Sequence, residues 1–296
     1  MIWLYQFFTD IKIAPSSVKL DDIIQSLNDD ITKTKDEVKI KKYFFNKNSN
    51  YIVCHLKDED SDIVDRVEYV SRGKLLRKDY YSYVRVFSEY YAPEDNMAKL
   101  YMRVFYNEDG STAYNEYVNG DDSMFVFKDR ILYSKQNFIA YFMEKLQLSQ
   151  KDMILLDRSK DISQVMIENK NQAKLGVVIH AEHYNASTTN DDYILWNNHY
   201  EYVFTNAQEI DFFITATEIQ NKLLTEQFEK YNHIMPKIYT IPVGNLTTLT
   251  QPLNRKPYSI ITASRLAAEK RVDWLVKAVA IAKQQRPEIT FDIYGE

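Results

Sequence analysis

Leu175-Gly-Val-Val-Ile-His180 is an apolar run closed by a histidine, too short for a helix and without the polar alternation of a half-exposed strand. It reads as a strand of a parallel sheet. Upstream, Phe138-Ile-Ala-Tyr-Phe-Met-Glu-Lys-Leu146 has a helical period, Met153-Ile-Leu-Leu-Asp157 is another short apolar strand, and residues 161–169 read as a short helix. Downstream follow a helix over 192–205, the strand Ile210-Asp-Phe-Phe-Ile214, a helix over 220–231 and the strand Ile238-Tyr-Thr-Ile241, ending at Pro242-Val-Gly244. Helices alternating with short apolar strands predict an α/β fold, an open parallel sheet covered by helices.

Beyond Gly244 the residues 245–257 are polar, carry two prolines and have no apolar period, which predicts an interdomain hinge. A second βαβ pattern follows: Tyr258-Ser-Ile-Ile-Thr-Ala263, an amphipathic helix over 271–285 and a strand over 289–294. Toward the N-terminus the period changes. From about Val38 to Tyr133, short runs rich in Tyr, Phe and Val are broken by clusters such as Lys57-Asp-Glu-Asp-Ser-Asp62 and Asn107-Glu-Asp-Gly110, the spacing of an antiparallel meander. Alternations such as Tyr101-Met-Arg-Val-Phe-Tyr106 place aromatics on both faces, for which a packing or subunit-contact role is the default. The opening run Met1-Ile-Trp-Leu-Tyr-Gln6 reads as a buried strand and Phe291-Asp-Ile-Tyr-Gly-Glu296 as a strand just reaching its turn, so a fragment of a longer protein is expected.

Composition removes several classes. With 296 residues, about two domains are expected. Lys and Arg number 37 against 42 Asp and Glu, a formal charge of −5, which offers no footprint for nucleic acid. Six glycines, none spaced for a dinucleotide fingerprint or a phosphate-binding loop, exclude those two nucleotide-binding classes. One cysteine and five histidines supply no zinc spacing, and no metal is expected. Cys54, with neither an apolar span nor a signal peptide, points to the cytoplasm. A basic stretch from Lys39 to Lys47 could still touch an anionic membrane surface.

The chemistry concentrates after two strands. In Ile261-Thr-Ala-Ser-Arg-Leu-Ala-Ala-Glu-Lys270, Arg265 and Lys270 sit in the loop between a strand and the following helix. The carboxyl edge of a parallel sheet is where ligands bind, and two cations there can neutralise a diphosphate leaving group without a metal. The competing reading is a solvated Lys270 and an Arg265 paired with Glu269. His180 stands at the end of its strand, where an imidazole can donate to a sugar hydroxyl or stabilise charge as a bond breaks; the competing reading is a core histidine. Glu182 and His183 are weaker candidates, a pair in which the carboxylate could orient the ring.

These motifs carry a resemblance. Ser264-Arg-Leu-Ala-Ala-Glu-Lys270 with Asp273-Trp-Leu-Val-Lys-Ala278 resembles the donor loop of retaining GT-B glycosyltransferases, and Ile241-Pro-Val-Gly244 the last strand of their N-terminal half. Trp3-Leu-Tyr5, Phe8-Thr-Asp-Ile-Lys-Ile-Ala-Pro15, Arg77-Lys-Asp-Tyr80, Phe105-Tyr-Asn-Glu-Asp-Gly110, His180-Ala-Glu-His-Tyr184, Asp192-Tyr-Ile-Leu-Trp-Asn-Asn198 and Phe291-Asp-Ile-Tyr-Gly295 extend it. Together they resemble the A subunits of the accessory Sec glycosyltransferases, which attach N-acetylglucosamine from UDP-N-acetylglucosamine to Ser/Thr of serine-rich repeat adhesins in Gram-positive bacteria. The wall teichoic acid and poly(glycerol phosphate) glycosyltransferases are similar in the same motifs, and a non-catalytic subunit binding a partner or acceptor is the other alternative.

The resemblance implies a GT-B fold of two Rossmann-like halves, both incomplete. Residues 1–15 and 136–244 are the first, 16–135 an inserted antiparallel sheet, 245–257 the hinge and 258–296 the start of the nucleotide-sugar-binding half. It places Arg265 and Lys270 on the UDP diphosphate and His180 beside the donor sugar. It implies no cofactor, a homologous B subunit as partner, a Ser/Thr-rich adhesin as acceptor, and a cytoplasmic enzyme with peripheral membrane contact. Members also carry an N-terminal strand with a glycine-rich loop, and two glutamates eight residues apart, that have no counterpart in the chain. The chain alone is therefore expected not to turn over substrate.

Overall fold

The structure is a computed structural model and describes residues 3–27, 30–45, 49–95, 97–157, 160–244 and 255–296. The chain divides into two units, Met1–Pro242 and Val243–Glu296.

The first unit contains two sheets. Ten antiparallel strands follow one another in chain order: β1 (Ile31–Glu37), β2 (Ile40–Phe45), β3 (Asn50–Leu56), β4 (Val64–Ser71), β5 (Lys74–Tyr81), β6 (Arg85–Glu94), β7 (Met97–Tyr106), β8 (Thr112–Asn119), β9 (Asp122–Val126) and β10 (Ile131–Leu132). Tyr- and Phe-rich alternation interrupted by polar turns builds this meander, and Gly73, Gly110 and Gly120 take positive φ at three of its turns. The register slips once in each pairing from β3 with β4 through β7 with β8, and such bulges deepen the twist of a sheet. A short helix, α1 (Leu20–Gln25), covers one end, where Ile23 joins Phe45, Ile52, Cys54, Leu56, Val64 and Val67 in a core.

Two cross-strand rows run side by side, the aromatic one over β5 to β8 and the charged one over β4 to β8. Tyr80, Phe87, Phe105 and Tyr114 occupy paired positions and stack in sequence, at centroid distances of 4.3, 5.5 and 4.5 Å. The neighbouring row alternates in charge, Glu68, Lys78, Glu89, Arg103, Glu116, each paired across to the next. Opposite charges directly across a ladder stabilise the register, and like charges there would oppose it.

Ser134 opens helix α2 (Lys135–Leu146), its hydroxyl accepting from the Asn137 amide at 3.1 Å, a cap worth about 1 kcal/mol. Phe138 of α2 is buried with Phe105, Tyr114 and Phe125 of the meander, while Ile139 and Met143 turn toward helix α3 (Ser163–Asn169). One helix thus joins the antiparallel sheet to the α/β layer.

That layer is a four-stranded parallel sheet in the order β11 (Met153–Leu156), β12 (Lys174–Ile179), β13 (Phe212–Thr215), β14 (Ile238–Thr240). Helices α4 (Glu201–Thr205) and α5 (Glu218–Gln227) follow β12 and β13. Leu175, Val177 and Ile179 of β12 are fully buried in the main core with Val203, Phe204, Phe213, Leu224 and Phe228. Gly176 lies opposite Phe212 in register, and a Cβ there would enter the Phe212 ring. The glycine inside an otherwise aliphatic run is the space that ring requires.

Two expectations fail. Among the described residues of the opening run no strand forms: Trp3 to Tyr5 turn into a 3-10 segment, Gln6–Phe8, because Leu4, Tyr5 and Phe8 all pack on the core around Phe138, a spacing a strand cannot present to one face. The helix expected over 192–205 is confined to Glu201–Thr205. Asn190 accepts the amides of Asp192 and Tyr193 through its side chain, Asn197 that of His199, and Tyr184 forms a bridge with Trp196. Asparagine side chains that capture nearby amides divert the backbone from helix.

The second unit holds a parallel pair, β15 (Ser259–Ala263) and β16 (Thr290–Tyr294), linked through helix α6 (Val272–Gln285). Most of the expected hinge, residues 245–254, lies outside the described residues.

Candidate active site

The carboxyl ends of β11 and β12 are neighbours, and the residue just past each is polar. Asp157 follows Leu156 and His180 follows Ile179. His180 Nε2 lies 2.8 Å from Asp157 Oδ1. His180 is not a core histidine: its side chain keeps 35% of its surface and that of Asp157 keeps 76%. A carboxylate can only accept, so Nε2 carries the proton and Nδ1 is the nitrogen presented for other bonds.

The segment after β12 is fixed at each step. The Tyr200 hydroxyl accepts from the His180 amide at 3.0 Å, the Gln220 side chain donates to the Ala181 carbonyl at 2.9 Å, and the Asn197 side chain to the Glu182 carbonyl at 3.2 Å. Thr217 caps α5 by accepting from the Gln220 amide, which sets Gln220 in place. Alternation and helical period alone reveal none of these ties.

Glu182 and His183 do not form the expected pair. His183 is buried, its Nε2 is 2.7 Å from Gln227 Oε1 of α5, and its ring packs near Trp196 and Phe204. Burial holds its pKa below the ordinary value, against the opposing pull of the Gln227 bond and the Glu182 charge. Glu182 remains exposed. His183 therefore ties the loop to α5 as a neutral ring, while its neighbour three residues earlier faces solvent.

In the second unit, β15 leads into residues 264–267 and a 3-10 turn, Ala268–Lys270, before α6 begins. The Ser264 and Leu266 amides donate to the Tyr294 and Glu296 carbonyls at 3.0 and 3.1 Å, holding the loop against the end of β16. Gly295 is where the two backbones meet, since a Cβ there would collide with the Ser264 carbonyl. Arg265 is exposed and 3.4 Å from Glu269, as in the surface-pair reading, yet keeps 76% of its side-chain surface. Lys270 makes no ion pair among the described residues and lies two residues before the positive end of a 14-residue helix. Of the basic stretch 39–47, Lys41 pairs with Asp36 at 3.1 Å and Lys42 stands 3.6 Å over the Tyr51 ring, while residues 46–48 lie outside the described residues.

The sequence singles out His180, Arg265 and Lys270 and leaves Asp157 unmarked, although Met153-Ile-Leu-Leu-Asp157 ends as Leu175–His180 does, with a polar residue closing an apolar strand. That parallel is the signal that would have found it.

Two α/β units in succession, each presenting polar side chains just past its strands, with a large antiparallel sheet ahead of the first parallel strand, make this a GT-B-type fold. A family model described as the GtfA extended beta-sheet domain matches residues 33–129, the meander. Over its whole length the chain is 52% identical to the UDP-N-acetylglucosamine–peptide N-acetylglucosaminyltransferase GtfA subunit of Streptococcus gordonii, of which it covers 59%. It superimposes with a TM-score of 0.92 and 51% identity on the crystal structure of the pneumococcal O-GlcNAc transferase GtfA in complex with UDP and GlcNAc, over 99% of this chain and 58% of that one. A crystal structure of a GtfA/B complex matches with a TM-score of 0.85 and 52% identity, over 99% and 59%. Over its own length the chain is similar to GtfA subunits, and it spans about three fifths of the length of the curated relatives it matches.

Proposed function

We propose that the protein to which this chain belongs transfers N-acetylglucosamine from UDP-N-acetylglucosamine to Ser/Thr hydroxyls of a peptide, with retention of configuration. The observation that carries this reading is the likeness of 99% of this chain, at 51% identity, to 58% of a transferase solved with UDP and GlcNAc. In the step itself the bond from the sugar's anomeric carbon to the UDP β-phosphate oxygen breaks, the acceptor hydroxyl oxygen bonds to that carbon from the same face, and the hydroxyl proton passes to the departing phosphate. Arg265 and Lys270 neutralise the charge that grows on the leaving diphosphate. His180, oriented by Asp157, holds a hydroxyl of the donor sugar. Such a step is driven by positioning and leaving-group stabilisation. No metal is assigned to it, the two cations serving in that role.

The reading extends to a homologous B subunit as partner, supported by the likeness to a subunit solved in a GtfA/B complex. It also extends to a Ser/Thr-rich adhesin as acceptor and a cytoplasmic location at the inner membrane face. Calorimetric titration with UDP tests the donor site: binding that Arg265→Ala weakens about tenfold or more supports it. Equal binding by the substituted protein removes Arg265 from the site.

A further inference from the structure

Where the aromatic and charged rows of the meander run side by side, they border a cavity of about 250 Å³ lined by Trp3, Tyr5, Phe87, Glu89, Arg103 and Phe105. Trp3 is 43% exposed and leans at 57° and 60° to the Phe87 and Phe105 rings, with centroids 5.7 and 6.3 Å away. Phe87 and Phe105 are themselves nearly parallel, at 23°. One wall is therefore a concave aromatic surface with an indole at its lip.

The polar part of the lining, beside the aromatic row on the same face of the sheet, is rigid. Glu89 accepts from the Tyr80 and Tyr91 hydroxyls at 2.9 and 2.6 Å and from Arg103 Nε at 3.0 Å. Arg103 Nη1 donates to Glu116 at 3.0 Å. Among the described residues this commits two of the five guanidinium N–H groups, and three remain to donate. The row Glu68, Lys78, Glu89, Arg103, Glu116 carries three negative and two positive charges, which disfavours phosphate or carboxylate. Glu89 is already satisfied by three donors, which disfavours a cation. A neutral ligand that carries both hydrogen-bond acceptors and an apolar face fits the mixed lining. The volume lies below the roughly 300 Å³ at which pockets for drug-sized molecules begin, room for one ring.

We propose that this cavity is a subsite for a single neutral pyranose, stacked on Trp3 and bonded to Arg103, and that it receives an N-acetylglucosamine already attached to the acceptor. The choice of that sugar rests on the transferase reading; the saccharide chemistry of the cavity does not. Trp3 and Arg103 lie in the first unit, and the cavity they line includes neither His180 nor Asp157. A subsite there retains a partly modified chain while further hydroxyls are presented.

Tryptophan fluorescence reads this directly. In a Trp274→Phe background, Trp3 is the exposed indole, since Trp196 is buried. The protein is titrated at saturating UDP with methyl N-acetyl-α-D-glucosaminide, with a serine-rich peptide, and with the same peptide carrying N-acetylglucosamine. A saturable change with the glycoside and the glycopeptide but not the bare peptide is expected, and glucuronate or inorganic phosphate should produce none. Glycoside affinity, followed by calorimetry, should fall about tenfold in Trp3→Leu, with the circular dichroism unchanged. No saturable change, or equal affinity in Trp3→Leu, overturns the subsite. Response to the glycoside alone overturns its assignment to the acceptor. UDP binding in the same preparation keeps the two readings apart: UDP binding without a glycoside response removes the subsite and leaves the transferase, and a Trp3-dependent glycoside response without UDP binding does the reverse.

Discussion

His180 and Asp157 meet at 2.8 Å because each is the first residue beyond one of two adjacent parallel strands. The β11–β12 register, with Leu156 opposite Val177, brings these strand ends to the same edge of the sheet. Neither side chain is held by burial, so the pair depends on the backbone ties of the segment 180–183. Asp157→Asn keeps the shape but can offer its amide instead of accepting, which frees the imidazole to choose its tautomer. Transfer by the full-length enzyme should fall by at least ~10²-fold in His180→Ala. In Asp157→Asn kcat should fall by a smaller factor, about tenfold, with UDP affinity unchanged. Unaltered kcat in Asp157→Asn would show that the pair has no part in the reaction.

The α/β layer was legible because each parallel strand is a short apolar run: β12 and β13 are buried on both faces, and the edge strands β11 and β14 keep the apolar run although Met153, Leu155 and Tyr239 are exposed. The meander was legible from its period of two. Local hydrogen bonding by asparagine was harder to see: the stretch 192–198 has enough apolar residues to suggest a helix, and only the Asn190 and Asn197 side chains decide otherwise. Likewise the partner of His183 is Gln227, 44 residues away, a separation that no local pattern can span. The strand and helix that flank Arg265 and Lys270 delimit their segment in the sequence, while their ligand is a matter of resemblance.

Gly295 should control Arg265 without touching any ligand. The loop at 264–266 is held by two backbone bonds to the end of β16, and a Cβ at Gly295 would displace the Ser264 carbonyl. Gly295→Ala should weaken UDP binding in calorimetry by about as much as Arg265→Ala, with melting of the first unit unchanged. Full affinity in Gly295→Ala would mean that the loop tolerates the shift.

His183 gives the stability of the first unit a pH dependence of known sign. Burial depresses its pKa in the folded state below the ordinary 6.5, so between those two values the unfolded chain binds more protons and stability rises with pH. Stability should decline as pH is lowered from about 6.5 toward the folded pKa and lose this contribution below it. His55, also depressed chiefly by burial, acts in the same direction. The Glu89 carboxyl contributes at lower pH: burial alone would raise its pKa, but the bonds from Tyr91, Arg103 and Tyr80 outweigh it and the carboxyl titrates below the ordinary 4.5. Urea denaturation across pH 5 to 7 should therefore show a shallower slope in His183→Gln than in the parent, with a residue left by His55. An unchanged slope would place the titration elsewhere.

Phe138 is the side chain by which helix α2 packs on the antiparallel sheet, while Ile139 and Met143 of the same helix face the α/β layer. Its ring stacks on Phe125 with centroids 4.1 Å apart and an interplanar angle of 3°, and Tyr5, Phe8 and Tyr114 surround it within 5.8 Å. Of these four neighbours, Tyr5 and Phe8 come from the opening segment and Tyr114 and Phe125 from β8 and β9, so the cluster is a junction rather than a local motif. Removing the ring costs the transfer energy plus an unfilled cavity, about 3–5 kcal/mol for Phe→Ala. Phe138→Leu retains much of the volume and should cost less. Because α2 also packs on α3 through Ile139 and Met143, the helix itself survives the change, and the loss falls on its hold over β8 and β9. Scanning calorimetry should then resolve the single transition of the first unit into two, the meander melting apart from the parallel sheet. One transition shifted down without splitting would show that the two sheets are joined by contacts other than Phe138.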